Sequence, residues 1–309
     1  MKRVSMLVDC DPGLDDAIAL LTAAHFAELV GITTVDGNVR IEHTTRNALA
    51  VAQIADLNVE IHQGASRPHV NKPRNARHVH GATGLGNVEL PEITRSFNSD
   101  DAVGFILETS NRIKDVHLVA VGPLTNIAEA LQRDATLPDR LSGLTIMGGA
   151  VVGGNVTAAA EFNIWADPEA ADIVFRLGRD VTMVGLDVTQ QVLLGTDQVT
   201  QMRQANTPKA TLAADLLEYA INRSHELRGW TGAPIHDACA VLTVTHPHLF
   251  NGDRRPVNIE LTGTHTRGMT VVDNRPSIAE NHNTLVLRTV NANAVIKLIV
   301  EAITATQTH

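Results

Sequence analysis

Features that define several protein classes are scarce in this chain of 309 residues. Its two cysteines are too few for a disulfide-stabilised scaffold. Its 34 acidic residues outnumber 25 basic ones, and a net charge of −9 argues against a nucleic-acid-binding surface. No uninterrupted apolar run reaches the roughly 20 residues that a membrane-spanning helix needs. We therefore expect neither nucleic acid nor a membrane among its partners.

The composition that remains is that of a globular protein. Hydrophobic residues make up 44% of the chain, which is enough for a sizeable core. The N-terminal sequence MKRVSMLVDCD has two basic residues and then a short apolar stretch interrupted by acids. A secretory signal would need a longer apolar region and a cleavage site of small residues. We therefore expect a cytoplasmic protein.

Short apolar stretches alternate with amphipathic ones along much of the chain. The pattern predicts strands at 3–9, 30–35, 58–62, 116–121, 143–147 and 180–186, and helices at 15–29, 41–56, 124–132 and 168–177. Continuous apolar strands that are each followed by a helix are typical of a parallel sheet covered on both faces. The sequence thus predicts an α/β protein with a Rossmann-like, mostly parallel central sheet, folded as one domain over residues 1–309.

Two regions break this alternation. Residues 63–100 are rich in Pro, Gly, Asn, Arg and His, and a loop of that length is usually functional, so we predict an active-site lid. Residues 256–290 predict a small antiparallel addition, in which VNIELTG and MTVVDN form a hairpin and TLVLRTV is a third strand. The last apolar segment, ANAVIKLIVEAITATQ, predicts a closing amphipathic helix.

An acidic cluster follows the first predicted strand, in the sequence Asp9-Cys10-Asp11-Pro12-Gly13-Leu14-Asp15-Asp16. Ligands of open α/β sheets bind at the carboxyl ends of the strands, where this segment lies. Crowded carboxylates repel each other, and an all-oxygen cluster suits Ca²⁺ or Mg²⁺ better than Zn²⁺. The alternative is that Asp15 and Asp16 only cap the following helix. Capping accounts for one acid but not for four.

This cluster resembles the DxDxxxDD signature of the inosine–uridine-preferring nucleoside hydrolases. Further motifs in the order of that family are Thr34-Val35-Asp36-Gly37-Asn38-Val39, His80-Gly81 with Gly84 and Gly86, Val121-Gly122-Pro123-Leu124-Thr125-Asn126, Ile146-Met147-Gly148-Gly149, Gly154-Asn155, Ala160-Glu161-Phe162-Asn163, Ala166-Asp167-Pro168-Glu169-Ala170-Ala171 and His236-Asp237. The chain looks most like the bacterial ribonucleoside hydrolases that accept purine and pyrimidine nucleosides. The resemblance implies hydrolysis of an N-glycosidic bond to free base and ribose, in nucleoside salvage or catabolism.

The resemblance also implies a Ca²⁺ ion held by Asp11, Asp16, Asp237 and the backbone carbonyl of Thr125. Asp11 would then be the base that activates a water. The alternative for Asp11 is a metal ligand that takes no part in proton transfer. His236 would protonate the leaving base, since histidine is the side chain that exchanges a proton near neutral pH. The alternative for His236 is a structural or base-contacting role.

The hydroxyls of ribose need polar partners when they are buried. The resemblance assigns this task to Asp15, Asn38, Asn155, Glu161, Asn163 and the backbone near Met147, with His80 as a pocket-wall residue. Glu161 and Asn163 are two residues apart, so on an extended segment they would face the same way. Asn38 follows Gly37 and is equally typical of a turn.

Weaker signals have competing explanations. His78 and His80 have the spacing of a zinc pair, but no third ligand is suitably placed. Cys10 and Cys239 lack a histidine partner at a defined spacing, so we expect small buried residues. In the implied family a segment that holds Tyr219, His225, Arg228 and Trp230 borders the nucleobase, while Trp230 is equally consistent with packing.

Two other functions compete with nucleoside hydrolysis. A phosphohydrolase of the haloacid-dehalogenase type also places DxD after the first strand. In that class a Thr or Val commonly follows the second Asp by two positions, whereas here Pro12 and Gly13 follow Asp11. A nucleoside- or ribose-binding protein could keep the pocket and lack turnover. We expect a ribonucleoside as the small-molecule partner and, from the family, a homodimer or homotetramer.

Overall fold

The computed structural model describes residues 3–275 and 284–306. Its strands are β1 (Ser5–Cys10), β2 (Glu28–Thr34), β3 (Ile61–Gln63), β4 (Val116–Ala120), β5 (Leu141–Met147), β6 (Val181–Val184), β7 (Leu193–Leu194), β8 (Ala233–Pro234), β9 (Phe250–Arg255), β10 (Val257–Ile259), β11 (Thr270–Val272) and β12 (Thr284–Val290). Its α-helices are α1 (Leu14–Phe26), α2 (Ile41–Ile54), α3 (Arg77–His80), α4 (Ala102–Arg112), α5 (Thr125–Arg133), α6 (Phe162–Ala166), α7 (Pro168–Leu177), α8 (Leu186–Thr189), α9 (Thr196–Gln204), α10 (Pro208–Arg228), α11 (His236–Thr245) and α12 (Ala292–Thr304).

Eight strands form the central sheet in the order β3-β2-β1-β4-β5-β6-β12-β9. The pairings from β3 to β12 are parallel, and β9 at one edge runs antiparallel to β12. The strand order reverses between β1 and β4, and this reversal opens a crevice at the carboxyl ends of the two strands. The acidic segment follows β1 and therefore lies at the crevice.

Apolar side chains cover both faces of the sheet, as expected for parallel strands. In β1, Met6 and Val8 pack with α1, α2, α10, α11 and α12. Leu7 points to the other face and packs with α4, α5 and α7. The predicted single α/β domain with a mostly parallel sheet is confirmed.

All six predicted strands and all four predicted helices are present; the helix at 168–177 has the predicted bounds, and the others have shifted ends. The helix predicted to reach residue 29 ends at Phe26, because β2 begins at Glu28. VNIELTG and MTVVDN form the antiparallel pair β10–β11, and the closing helix is α12. The placement of TLVLRTV was wrong, because this segment is β12 of the central sheet, parallel to β6 and antiparallel to β9.

Several helices were absent from the sequence prediction, including α4 and the long α10. The 63–100 segment contains one short helix, α3, and its second half lies over α2, where the Gln53 side chain accepts the backbone N–H of Thr94 at 2.9 Å. Within the described residues no helix combines the length and apolar character needed to cross a bilayer.

Candidate active site

The candidate site is built where β1 and β4 end side by side. Asp9 of β1 pairs with Ala120 of β4, so the segments after them face each other across the crevice. Asp11 follows β1 and is fully buried. The backbone N–H of Asn38 donates to Oδ2 of Asp11 at 2.6 Å, whereas Oδ1 of Asp11 has no hydrogen-bond partner among the described residues. Oδ1 is therefore the oxygen of Asp11 that can bind a ligand at the crevice.

Glycine is required opposite this carboxylate. A Cβ at Gly122, after β4, would lie 2.7 Å from Oδ1 of Asp11, and a Cβ at Gly37 would lie 2.1 Å from Oδ2. Both distances are far below van der Waals contact. The two glycines thus allow the backbone to close around Asp11 while leaving the carboxylate in place.

Asp16 both caps α1 and belongs to the acidic cluster. Its Oδ2 accepts the backbone N–H of Gly13 at 2.9 Å, and its Oδ1 accepts that of Asp11 at 3.1 Å. Asp16 therefore caps α1. Ligand oxygens of Asp15, Asp16 and Asp237 also lie within 4.8 Å of one another. Helix α11 brings Asp237 to this cluster from a distant part of the chain.

Asp15, which the family resemblance assigns to ribose, thus has a carboxylate oxygen in the group that could hold a metal ion. Asp11, assigned to the ion, is outside that three-carboxylate group but contacts Asp16 through its backbone N–H. Thr125 is buried in the first turn of α5, where its hydroxyl donates to Oδ2 of Asp167 at 2.8 Å.

Burial and mutual repulsion disfavour the charged forms of these acids. Burial, followed by the charge of Asp16, raises the pKa of Asp11 well above its usual range. Burial and then the charges of Asp15, Asp16 and Asp11 do the same to the pKa of Asp237. Burial raises the pKa of Asp15 to about 6. A divalent cation would offset this repulsion, so the donor set fits a hard cation bound by oxygen.

A pocket of about 420 Å³ opens above the acids. Nine of the residues to which the resemblance gave a catalytic, cation-binding or ribose-pocket role line it: Asp15, Asn38, His80, Met147, Asn155, Glu161, Asn163, His236 and Asp237. Asp11, Asp16 and Thr125 are not among its lining residues. The structure therefore brings together residues that are up to 222 positions apart, the span from Asp15 to Asp237.

Glu161 and Asn163 line the pocket from the start of a helix, whereas the sequence analysis considered an extended segment. Glu161 is the N-cap of α6, and its carboxylate accepts backbone N–H groups from Asn163, Ile164 and Gly149. Burial raises the pKa of Glu161 to about 7 despite these donors. Asn163 lies in the first turn of the helix, so the extended geometry was wrong although both residues line the pocket.

The amide hydrogens of two asparagines are already used within the protein. Asn163 donates to the backbone carbonyls of Val121 (2.8 Å) and Met147 (3.0 Å). Asn38 donates through Nδ2 to the Asp11 carbonyl and to Oδ2 of Asp16. Each side chain therefore has its Oδ1 left as the group to offer a ligand.

Asn155 offers the complementary group. Its Oδ1 accepts the backbone N–H of Phe162 at 2.9 Å, which leaves its NH₂ group as a donor. The pocket thus has amide acceptors at Asn38 and Asn163 and an amide donor at Asn155. Such a mixture suits ribose hydroxyls, which both donate and accept.

The two pocket histidines differ in environment. His236 begins α11, and its Nδ1 hydrogen-bonds to Oγ1 of Thr189 at 2.7 Å. Burial lowers the pKa of His236, while the nearby Asp15 opposes that shift. The backbone N–H of Leu14 donates to Nδ1 of His80 at 3.1 Å, and burial lowers the pKa of His80 to about 3. His80 is therefore a neutral imidazole with its remaining hydrogen on Nε2.

The far side of the pocket is formed by the end of α10 and the segment after it. Arg228 and Trp230 line the pocket, and the Arg228 guanidinium carbon lies 5.1 Å from the Trp230 ring centroid. Tyr219 and His225 are not among the lining residues. Tyr219 packs instead against Gly86, where a Cβ would lie 2.6 Å from its ring.

The sequence analysis gave no individual role to several other residues of the pocket lining. Gln190, Phe162 and Arg223 line the pocket. Arg223 also donates to the backbone carbonyl of His78 and pairs with Glu226. Arg223 lies inside the segment that the resemblance placed beside the nucleobase, but no helix was predicted for residues 208–228, so its side chain could not be assigned to the pocket.

The remaining sequence signals have simple outcomes. Cys10 and Cys239 are both buried and unpaired, as predicted. His78 and His80 are in no three-ligand metal group among the described residues. Asp9 points away from the acid cluster, and its Oδ1 accepts hydrogen bonds from Thr33 (2.6 Å) and Asn126 (2.8 Å).

The fold and the pocket define a doubly wound α/β protein with a carboxylate cluster at its switch point. A sequence model of the inosine-uridine preferring nucleoside hydrolases matches residues 6–297. The chain is 39% identical to the inosine-uridine preferring nucleoside hydrolase of Leishmania major over 304 residues, covering 96% of each chain. It is 35% identical to pyrimidine-specific ribonucleoside hydrolase RihB of Escherichia coli O9:H4 (strain HS), covering 98% of each.

A solved structure gives the same result. The purine-preferring ribonucleoside hydrolase of Gardnerella vaginalis superposes with a TM-score of 0.90 at 33% identity, covering 97% of this chain and 98% of that one. The chain belongs to the inosine-uridine preferring nucleoside hydrolase family. It is thus an N-glycosidase of a metal-dependent family, and the phosphohydrolase alternative is wrong.

Proposed function

We propose that this chain hydrolyses the N-glycosidic bond of ribonucleosides with a Ca²⁺ ion at the carboxylate cluster. The observation that carries the proposal is the unpartnered Oδ1 of buried Asp11, beside a group of three carboxylates at the base of a pocket of mixed amide donors and acceptors. The matching relatives are named for uridine, inosine, pyrimidine and purine preferences, so both base classes are candidate substrates.

Asp11, Asp16, Asp237 and the Thr125 carbonyl would hold the cation, and Asp15 is close enough to contribute a further oxygen. The bound cation would lower the pKa of a coordinated water and orient the ribose diol. Ca²⁺ accepts six to eight oxygens with flexible geometry, which suits a site of several carboxylates and a carbonyl.

Asp11 is the proposed base. Its Oδ2 is held by the Asn38 N–H, which fixes the carboxylate plane, while Oδ1 remains free to take a proton from the attacking water.

The other pocket groups bind the sugar and tolerate its developing positive charge. The Oδ1 atoms of Asn38 and Asn163 accept hydroxyl hydrogens, and the NH₂ group of Asn155 donates to a hydroxyl oxygen. Glu161, held by three backbone N–H groups, and Asp15 place negative charge around the ribose. The charge of an oxocarbenium-like transition state is thereby stabilised.

His236 is the proposed acid for the departing base. Its Nδ1 is engaged by Thr189, so Nε2 is the atom left to give a proton to a ring nitrogen. Burial makes its protonated form a stronger acid, and the negative charge of Asp15 keeps that form accessible. Arg228 and Trp230 form the wall on the base side.

The test is ribose release from inosine and uridine in parallel, measured with a reducing-sugar assay. Each substrate is assayed with added calcium and after exhaustive chelation, with Asp11→Ala as the matched inactive variant. Release that chelation abolishes and calcium restores is the expected result, and the inosine-to-uridine ratio reports base preference. Chelator-resistant release would overturn the cation assignment.

A folded, calcium-loaded protein that releases ribose from neither substrate would favour the nucleoside-binding alternative. Equilibrium dialysis with inosine would then detect binding without turnover. We also expect a homodimer or homotetramer, which light scattering coupled to size-exclusion chromatography measures directly.

A further inference from the structure

Asp9 is a buried carboxylate that the proposed mechanism does not use. It is fully inaccessible to solvent, and its Oδ2 has no hydrogen-bond partner among the described residues. Its Oδ1 accepts two hydrogen bonds, from Thr33 on the neighbouring strand β2 and from Asn126 in the first turn of α5. A buried carboxylate is costly, so its contacts should explain its presence.

The Asn126 contact connects Asp9 to the ends of two further strands and to helix α5. Asn126 is also fully buried, and its Nδ2 donates to both Asp9 and the Thr34 carbonyl at the end of β2. Its Oδ1 accepts the backbone N–H of Ala65, just after β3. One amide therefore joins the ends of β1, β2 and β3 to α5, the helix that follows β4.

The packing around this amide leaves little room for displacement. A Cβ at Gly64 would lie 2.3 Å from Oδ1 of Asn126, so backbone and side chain are in close contact. Thr125 directly precedes Asn126, and its hydroxyl donates a hydrogen bond to Asp167. Asn126 and Asp167 thus fix the Thr125 backbone between two buried side chains.

We propose that Asp9 is a positioning residue for the cation site and that it acts through Asn126 on the backbone of Thr125. This inference rests on the proposed function, because Thr125 is taken there as a carbonyl ligand. Residues that orient metal ligands by hydrogen bonds commonly affect metal affinity by about 10- to 100-fold. Asp9 never contacts substrate or cation in this arrangement.

The test compares two variants that each remove one hydrogen bond from Asp9. Asn126→Ala breaks the connection to Thr125, whereas Thr33→Val removes the other bond and leaves that connection intact. Calcium affinity is measured by calorimetric titration of the full chain after cation removal, and thermal unfolding is measured for each protein. We expect Asn126→Ala and Asp9→Ala to weaken calcium binding about tenfold, and Thr33→Val to change it less than threefold.

Two further variants keep the inference falsifiable if stability falls. Asp9→Asn retains an oxygen that can accept from Asn126, so it should recover most of the affinity lost in Asp9→Ala. The double variant Asp9→Ala/Asn126→Ala should bind calcium no more weakly than either single variant, because both act through one connection. Amide hydrogen exchange over residues 121–126 should be faster in Asn126→Ala than in Thr33→Val.

Equal calcium affinities in all folded variants would overturn the inference and leave the proposed function standing. Equal weakening by Thr33→Val and Asn126→Ala would also overturn it, since a general loss of stability would then be the cause. A wild-type chain that binds no calcium would instead overturn the cation assignment itself, and this inference with it.

Discussion

The two sides of the pocket are held in different ways. On the cation side, Asp11, Asp16 and Asp237 are at most 3% exposed, and hydrogen bonds from Asn38 and Gly13 lock the first two in place. On the base side, Leu227 is 48% exposed and Val156 is 37% exposed. The cation side would act on the ribose, which all ribonucleosides share. The base side would contact the nucleobase, which differs between substrates.

This contrast indicates where change is tolerated. Buried charges that depend on several partners cannot be altered singly without a large cost, because each removal leaves another polar group unsatisfied. Exposed side chains at the end of a helix can change with little effect on stability. We therefore expect substitutions on the cation side to abolish turnover and those on the base side to change substrate preference.

The largest effect is expected at Asp11. Asp11→Ala should lower kcat about 10³-fold or more, because it removes the proposed base and a cation ligand together. Steady-state ribose release and circular dichroism would be measured side by side. Asp197→Ala, an exposed carboxylate on α9, is the matched control and should behave as wild type. Near-normal rates in folded Asp11→Ala would remove Asp11 as the base.

The pKa of Glu161 predicts a pH-dependent stability. Because burial raises the pKa from 4.5 to about 7, the folded protein keeps a proton that the unfolded chain loses between those values. The free energy of unfolding should therefore fall by about 3 kcal/mol as pH rises through this window. Urea unfolding of cation-free protein at pH 5 and pH 8 measures the change.

Glu161→Gln cannot titrate and should flatten this dependence, whereas Glu108→Gln, an exposed control on α4, should retain it. The difference between the two variants isolates the contribution of Glu161 from other titrating groups. An identical pH dependence in both would show that Glu161 is ionised throughout the range.

His236 allows a test that separates the two sides of the pocket. His236→Ala should lower kcat on inosine or uridine about 10²-fold, because the base then departs without a proton. A nitrophenyl riboside should lose much less activity, since its leaving group needs no proton. Thr189→Val, which removes the Nδ1 partner, should have a smaller effect in the same direction. Equal losses on both substrates would argue against an acid role.

The smallest effect is expected where Arg223 holds the 63–100 loop. Arg223→Gln removes the contact with the His78 carbonyl, so it should raise KM severalfold, about 1 kcal/mol, and leave kcat nearly unchanged. Limited proteolysis should also cut the loop faster. Arg46→Gln, exposed on α2, is the control.

The same proteolysis experiment tests the predicted lid. A bound ribose analogue should protect residues 63–100 in the wild type. If cleavage of the loop is unchanged by the analogue, the loop is part of the rigid pocket wall and does not close over substrate.

The sequence predicted local features well and non-local pairings poorly. Hydrophobic periodicity placed β1, β2 and α2 because it depends on neighbours in the chain. It misplaced β12, whose partners β6 and β9 are chosen by the whole sheet. Helix α10 has no single apolar stripe that its sequence would reveal, because α1, α2, α9 and α12 pack against it.

The candidate site shows the same division. Nine residues to which motif and family resemblance gave a catalytic, cation-binding or ribose-pocket role line the pocket, from Asp15 to Asp237. The motif and the resemblance did not distinguish Asp9 from its neighbours, since four acids in eight residues look alike in sequence. Its contacts with Thr33 and Asn126 exist only because β1 lies between β2 and β4.

The sequence by itself determined the parallel α/β architecture, the acidic segment after β1 and the family. Each depends on residue types at short spacing or on motif order, which need no three-dimensional information. Only the tertiary structure decided which carboxylates share a cluster, which amide hydrogens are free and that Arg223 reaches the pocket. Those properties depend on distances between segments far apart in the chain, and burial by other segments sets the pKa of each acid.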